Sequence, residues 1–251
     1  MKKIFFLLFF LPFASFLFAQ ESNITIENAN ELYSQGEYLQ AAHIYEQIIQ
    51  EQGIAPELYY NLGNAYYKAN EIGRSILNYE RALNLNPNFE DARFNLQLAQ
   101  TKVIDNIKEE DTFFIKRWIQ SIGETLTSNQ WLFLSCTLFI ISIIGFFLFI
   151  FGGSKGLRKT SFVIAIVLLI GSAISLTYSI SRKRQMTNHE QAIVMMGIIT
   201  VKSSPDKSGT ELFELHEGTK VTIKSELGEW SEIVIGDGRR GWVEKRQIEQ
   251  I

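Results

Sequence analysis

The chain has 251 residues, enough for one to three small domains, with 46% hydrophobic residues and a formal charge of −3 at pH 7. Its acidity is local: Gln20 to Asp111 holds fifteen Asp and Glu against six Lys and Arg, whereas Arg182 to Ile251 balances eleven against eleven. An acidic arm excludes the basic face that a nucleic-acid partner requires, and a lone cysteine, Cys136, excludes both an intrachain disulfide and a cysteine-built metal site.

Residues 1–19 read as an export signal. Lys2 and Lys3 precede the apolar run Ile4–Phe18, and Ala19 offers a small residue for cleavage before Gln20. The alternative is an uncleaved anchor, although the run is short for a membrane span. Either way the segment that follows is exported.

Residues 20–110 repeat with a period of 34. In Pro56–Phe89 the order Tyr59, Leu62, Gly63, Tyr66, Ser75, Tyr79, Ala82, Pro87 alternates aromatic, small and apolar positions on two helices. Small Gly63 and Ser75 let those helices approach, and Pro87 ends the second one. Shifting back by the period gives a degenerate copy, Ala29, Leu32, Gly36, Ala41, Tyr45 and Ile48; shifting forward gives a capping helix over Asp91–Ile107. The spacing resembles tetratricopeptide repeats. That resemblance implies a concave surface for a protein partner, lined here by Asn30, Tyr33, Tyr60, Asn64, Tyr67 and Phe94. The alternative role for the tyrosines is packing between helices. A carboxylate clamp is not expected, since Lys68 and Arg93 are the only basic candidates on that face.

Residues 111–130 carry Phe114, Ile115, Trp118, Ile119, Ile122 and Leu126 at helical spacing opposite Lys116, Gln120 and Glu124. This pattern suits an amphipathic helix in the headgroup layer, or a further cap on the repeats. Ser128 is the expected N-cap of the next helix.

Two spans follow, 131–151 and 162–180, joined by a basic turn over 152–161. Neither span contains Asp, Glu, Lys or Arg. Each approaches the roughly 20 apolar residues of a bilayer crossing, and only helices satisfy their own backbone there. The export signal places the turn, with Lys155, Arg158 and Lys159, in the cytoplasm, in line with the positive-inside rule. Arg182, Lys183 and Arg184 at the other end of the second span argue the opposite way. With no charged side chain in either span, a transport path has no support. Both soluble arms are then expected on the periplasmic side of the inner membrane.

After a linker at 181–189, residues 190–251 form short β-branched and aromatic runs separated by Ser203-Ser204-Pro205-Asp206, Glu217-Gly218, Leu227-Gly228-Glu229 and Gly236-Asp237-Gly238. This predicts a small closed barrel. Val201, Ser204-Pro205, Leu212, Gly218, Val221, Trp230, Ile233, Gly241-Trp242-Val243 and Ile248 resemble a bacterial SH3 domain. The aromatic groove for proline-rich helices is missing: its place holds Ala192-Ile193-Val194-Met195-Met196. Trp230, with Arg239 and Arg240 beside it, is the candidate ligand platform, or Trp230 is purely structural. The resemblance implies cell-wall peptide (peptidoglycan) as one ligand class.

The three histidines, His43, His189 and His216, have no Cys, Ser or paired carboxylate at a catalytic or metal-ligating spacing. A non-enzyme without cofactor is the expectation. The fold class is thus a multidomain membrane protein: helical tetratricopeptide repeats, two transmembrane helices and a small all-β SH3-like barrel. The order of these modules resembles the BatE-like branch of the Bacteroides aerotolerance (Bat) family. That resemblance implies a scaffold in an envelope complex with von Willebrand-A-type membrane partners and a link to oxidative-stress tolerance. The alternative is a peptidoglycan tether acting through the SH3 domain alone.

Overall fold

A computed structural model describes residues 24–107, 114–187 and 190–251; the expected export signal and His189 lie outside them. The first block of described residues forms five helices: α1 (Ile26–Ser34), α2 (Tyr38–Gln52), α3 (Pro56–Lys68), α4 (Ile72–Leu85) and α5 (Glu90–Gln100). Thr25 caps α1 by accepting from the Asn28 amide at 3.2 Å, and Pro56 sits in the first turn of α3, where its missing N–H costs nothing. The period recurs in the backbone. Gly36 and Asn70, both with positive φ (86° and 65°), make equivalent turns between the two helices of each repeat. Gly63 is there for closeness: a Cβ would meet the Tyr79 ring at 2.7 Å. The expected cap is shorter than its apolar pattern implied. It stops at Gln100, and Thr101–Ile107 leaves the helix to meet the C-terminal sheet.

Helix α6 (Phe114–Gly123) leads to α7 (Ser128–Phe151) and α8 (Lys155–Thr187). Both α7 and α8 are long and apolar enough to cross a membrane. The N-cap of α7 is Thr127, not Ser128: Thr127 and Gln130 form a reciprocal capping box. Ser128 is used across the hairpin instead, donating to the Ser179 carbonyl at 3.0 Å. Nor is the basic segment 152–161 all turn. Ser154 Oγ accepts from the Leu157 amide and helix α8 begins at Lys155, so the basic residues occupy its first turns. At the other end α8 runs on to Thr187, through the stretch expected to be a linker.

The hairpin is held by a ladder of serines. Ser135 and Ser172 each donate to the other's carbonyl (2.9 and 3.0 Å), Ser128 and Ser179 do the same (3.0 and 2.9 Å), and Ser142 donates to Ala165 O at 2.8 Å. Small side chains let the two backbones approach, and hydroxyls then bond across an otherwise apolar seam. At its open end the Trp131 ring stacks on Tyr178 with centroids 4.9 Å apart. Trp131 Nε1 donates to Gly123 O and the Tyr178 hydroxyl to Ile119 O, tying α6 to the hairpin rather than stacking it as another repeat. Trp118 remains exposed on α6.

The C-terminal sheet has seven antiparallel strands: β1 (Gln191–Val194), β2 (Ile198–Lys202), β3 (Glu211–His216), β4 (Lys220–Leu227), β5 (Trp230–Val234), β6 (Arg240–Glu244) and β7 (Ile248–Gln250). Their order is β3-β2-β6-β5-β4-β1-β7, so β3 and β7 are edges and the hydrogen-bonded ring is not closed. Ala192, Val194, Val201, Leu215, Val221, Ile233 and Val243 fill its core. Gly241 lies where β6 crosses β2: a Cβ there would meet Val201 Cγ1 at 2.6 Å and Lys202 O at 2.7 Å.

Candidate interaction surfaces

Each candidate residue on the repeat face has a structural environment, and the two asparagines share one. The Tyr45 hydroxyl donates to Asn30 Oδ1 in the first repeat, and Tyr79 donates to Asn64 Oδ1 at 2.7 Å in the second. The same bond therefore recurs one period later, joining the second helix of each repeat to its first. Burial pushes the Tyr45 phenol up to about 12 and the Tyr79 phenol higher still, so both remain neutral donors. Asn64 also accepts from Asn95 Nδ2 at 2.8 Å.

Tyr60 packs on Phe89, with centroids 4.9 Å apart, and Tyr33 sets its ring edge against Tyr38 at 5.3 Å. Tyr67 is half-buried beneath the Lys102 ammonium, 4.3 Å from its ring centroid. Phe94 is 67% exposed and is the apolar group most open to a partner on this face.

On the sheet, the proposed platform separates. In the β5–β6 register Trp230 faces Glu244 whereas Arg240 faces Val234. Four residues of strand, about 13 Å, lie between them. Arg239 is occupied elsewhere: it pairs with Asp237 at 2.8 Å and lies over the Phe213 ring, 4.6 Å from its centroid. Sequence proximity to a turn brought these cations near Trp230 only on paper.

What the sequence reading missed is a direct union of the two soluble arms. Its key is the β3–β4 turn, His216–Thr219. Asp105, in the loop after α5, accepts from the His216 amide (2.7 Å) and the Thr219 hydroxyl (2.6 Å), and its other oxygen lies 2.8 Å from His216 Nδ1. Burial opposes the charged form of Asp105, but the Thr219 and His216 hydrogen bonds outweigh it and hold the carboxyl below the usual 3.8 of an aspartate.

The favour is returned. Helix α4 has Glu71 at its N-cap, with no side-chain cap bond, and Glu217 of the turn accepts from the Gly73 amide at 2.8 Å instead. A carboxylate at a helix N-terminus satisfies an orphan amide and complements the dipole. Gly218, at φ 86°, completes the fit: a Cβ would meet Val103 Cγ2 at 2.9 Å and Ile76 Cδ1 at 3.0 Å.

Strand alternation supplies the apolar part. Ala192 and Val194 point into the sheet's own core, while Ile193 between them inserts among Ile76, Leu77, Tyr79, Leu96 and Ala99. The Lys220–Glu80 and Arg81–Glu249 pairs (2.9 and 3.0 Å) rim this contact. The weak hint in the sequence was Ala192-Ile193-Val194 itself, a strand apolar on both faces. Partner residues in space, 85 positions or more away, left no local mark. No group of three or more His, Cys, Asp or Glu able to hold a metal occurs among the described residues.

Two modules thus pack on each other, beside an apolar helical hairpin. The tetratricopeptide repeat family matches residues 56–89, and the bacterial SH3 domain family matches residues 199–249. No curated protein matches the chain. Both matched families are interaction modules, which suggests protein interaction for this chain.

Proposed function

We propose that the chain is a non-catalytic, membrane-anchored scaffold of an envelope complex, of the BatE-like type in the Bacteroides aerotolerance family. The helices α7 and α8 anchor it in the inner membrane, residues 1–19 export the first arm, and both soluble arms face the periplasm. The repeat face takes a membrane protein of von Willebrand-A type, the barrel takes a peptide or cell-wall ligand, and the assembly serves oxidative-stress tolerance. The observation that carries this reading is the docking of Ile193 and the β3–β4 turn onto α4. Arms in direct contact must lie on one side of a membrane, and together they form one presented unit.

On the repeat face, Phe94 and Tyr67 are the expected contact residues. Asn30 and Asn64 shape the face through their tyrosine bonds. Pull-down from mild detergent with the Tyr67→Ala, Phe94→Ala double variant should lower recovery of a membrane partner at least about tenfold, as aromatic contacts at interface centres do. Undiminished recovery would remove this face from the proposal.

A further inference from the structure

A cleft of about 780 Å³ opens where the start of α3 and the end of α4 face strands β4, β5 and β7. Neither module forms it alone. Its size falls within the roughly 300–1,000 Å³ of small-ligand sites. Ile54 and Tyr59 of the repeat arm face Ile223 and Ile248 of the sheet, so its walls are apolar.

Two observations point to a ligand. Ser231 lines the cleft on the sheet side; it is 1% exposed, and its Oγ has no hydrogen-bond partner among the described residues. A buried hydroxyl left unsatisfied is destabilising, so a group that bonds it recovers that loss. Charges of both signs also line the cleft, as two separate pairs: Arg81–Glu249 at 3.0 Å and Lys245–Glu226 at 2.6 Å. Both pairs are partly open to solvent, which screens their attraction; Arg81 is further fixed by donating to the Gln250 carbonyl at 2.6 Å, so it presents a positioned cation to a ligand's own charges.

We infer that this cleft binds a short peptide with free termini. Its carboxylate meets Arg81 or Lys245, its ammonium meets Glu226 or Glu249, an aliphatic side chain packs between the isoleucines, and a backbone carbonyl of the peptide accepts from the Ser231 hydroxyl. The inference rests on the reading that the barrel end docks peptide, and it moves that function from Trp230 to the seam between the arms.

The test is titration of alanyl-leucyl-alanine into the full chain in lipid nanodiscs, followed by calorimetry. Saturable binding is expected, weakened about tenfold or more when the termini are acetylated and amidated. Ser231→Ala should weaken binding about threefold to tenfold while leaving the melting temperature unchanged or raised, since it removes an orphan hydroxyl. Ile54→Trp, a change at an exposed rim position, should block binding without unfolding the chain. No saturation at several millimolar, equal binding of the blocked peptide, or binding unaffected by both variants would each overturn the inference. Recovery of the protein partner on the repeat face is read separately, so loss of one reading does not entail loss of the other.

Discussion

Asp105 shows how one carboxylate can govern a domain contact. Three donor groups converge on it from a single turn, so removing it strands the His216 amide and the Thr219 hydroxyl together. Asp105→Ala should cost about 1–3 kcal/mol for each buried donor left without water or protein. The pH dependence follows from the lowered value. The folded group titrates below an unfolded aspartate, so its stabilisation is complete above about pH 4 and fades as pH falls through the folded value. Thermal unfolding of the full chain between pH 6 and pH 3 should show this acid limb, and Asp105→Asn should flatten it. An unchanged limb in the variant would assign the acid sensitivity to other carboxylates. Gly63 and Gly241 belong to the same scale, and there the sequence was readable: both positions have no room for a methyl group. The tyrosine bonds of Asn30 and Asn64 were not legible, because an asparagine aimed at a partner and one bonded to a tyrosine fifteen residues away look alike in one dimension.

At the scale of elements, the hairpin was legible in outline and not at its ends. Apolar composition marks a span, but helix continues wherever caps and hydrogen bonds allow, so α8 runs through both flanking basic stretches. The serine ladder explains why the second helix holds Ser172 and Ser179 two turns apart on one face, with Ser175 buried between them. Each crossing bond in such a seam is worth about 0.6–2 kcal/mol. Replacing Ser135 and Ser172 together by valine should therefore lower hairpin stability by about 1–4 kcal/mol for the two reciprocal bonds. Denaturation in mixed micelles would measure it, and a change below about 0.5 kcal/mol would reduce the ladder to simple small-residue packing.

For the whole molecule, apolar insertion and surface charge offer competing accounts of what joins the arms, and magnitudes separate them. Ile193 is fully buried in the repeat arm's core, so Ile193→Ala should cost about 2–5 kcal/mol and open the contact. Glu249 is half exposed beside Arg81, so Glu249→Gln should cost less than about 1 kcal/mol. Protease digestion of the full chain would report the difference: cleavage in the segment after α5 should accelerate in the isoleucine variant and not in the glutamine one. Equal acceleration would make the ion pair the fastener. The modules themselves could be read from local periodicity, because a 34-residue repeat and a strand-and-turn rhythm are short-range patterns. Their union could not, because Asp105 and His216, or Gly73 and Glu217, meet only after the chain has passed through two long helices.

That reciprocal capping between α4 and the β3–β4 turn also bears on biogenesis. Bringing residue 73 to residue 217 closes a long loop, a step whose entropic cost rises only slowly with length but which must follow everything inside the loop. The loop contains the hairpin. On the proposed topology, a failure of α8 to return across the bilayer would strand the sheet in the other compartment, with Ile193 bare and the first amides of α4 uncapped. Exposed apolar surface of that kind invites degradation. On the proposed membrane topology the seam between the arms would act as a checkpoint: a chain that has closed it would already have inserted both helices correctly.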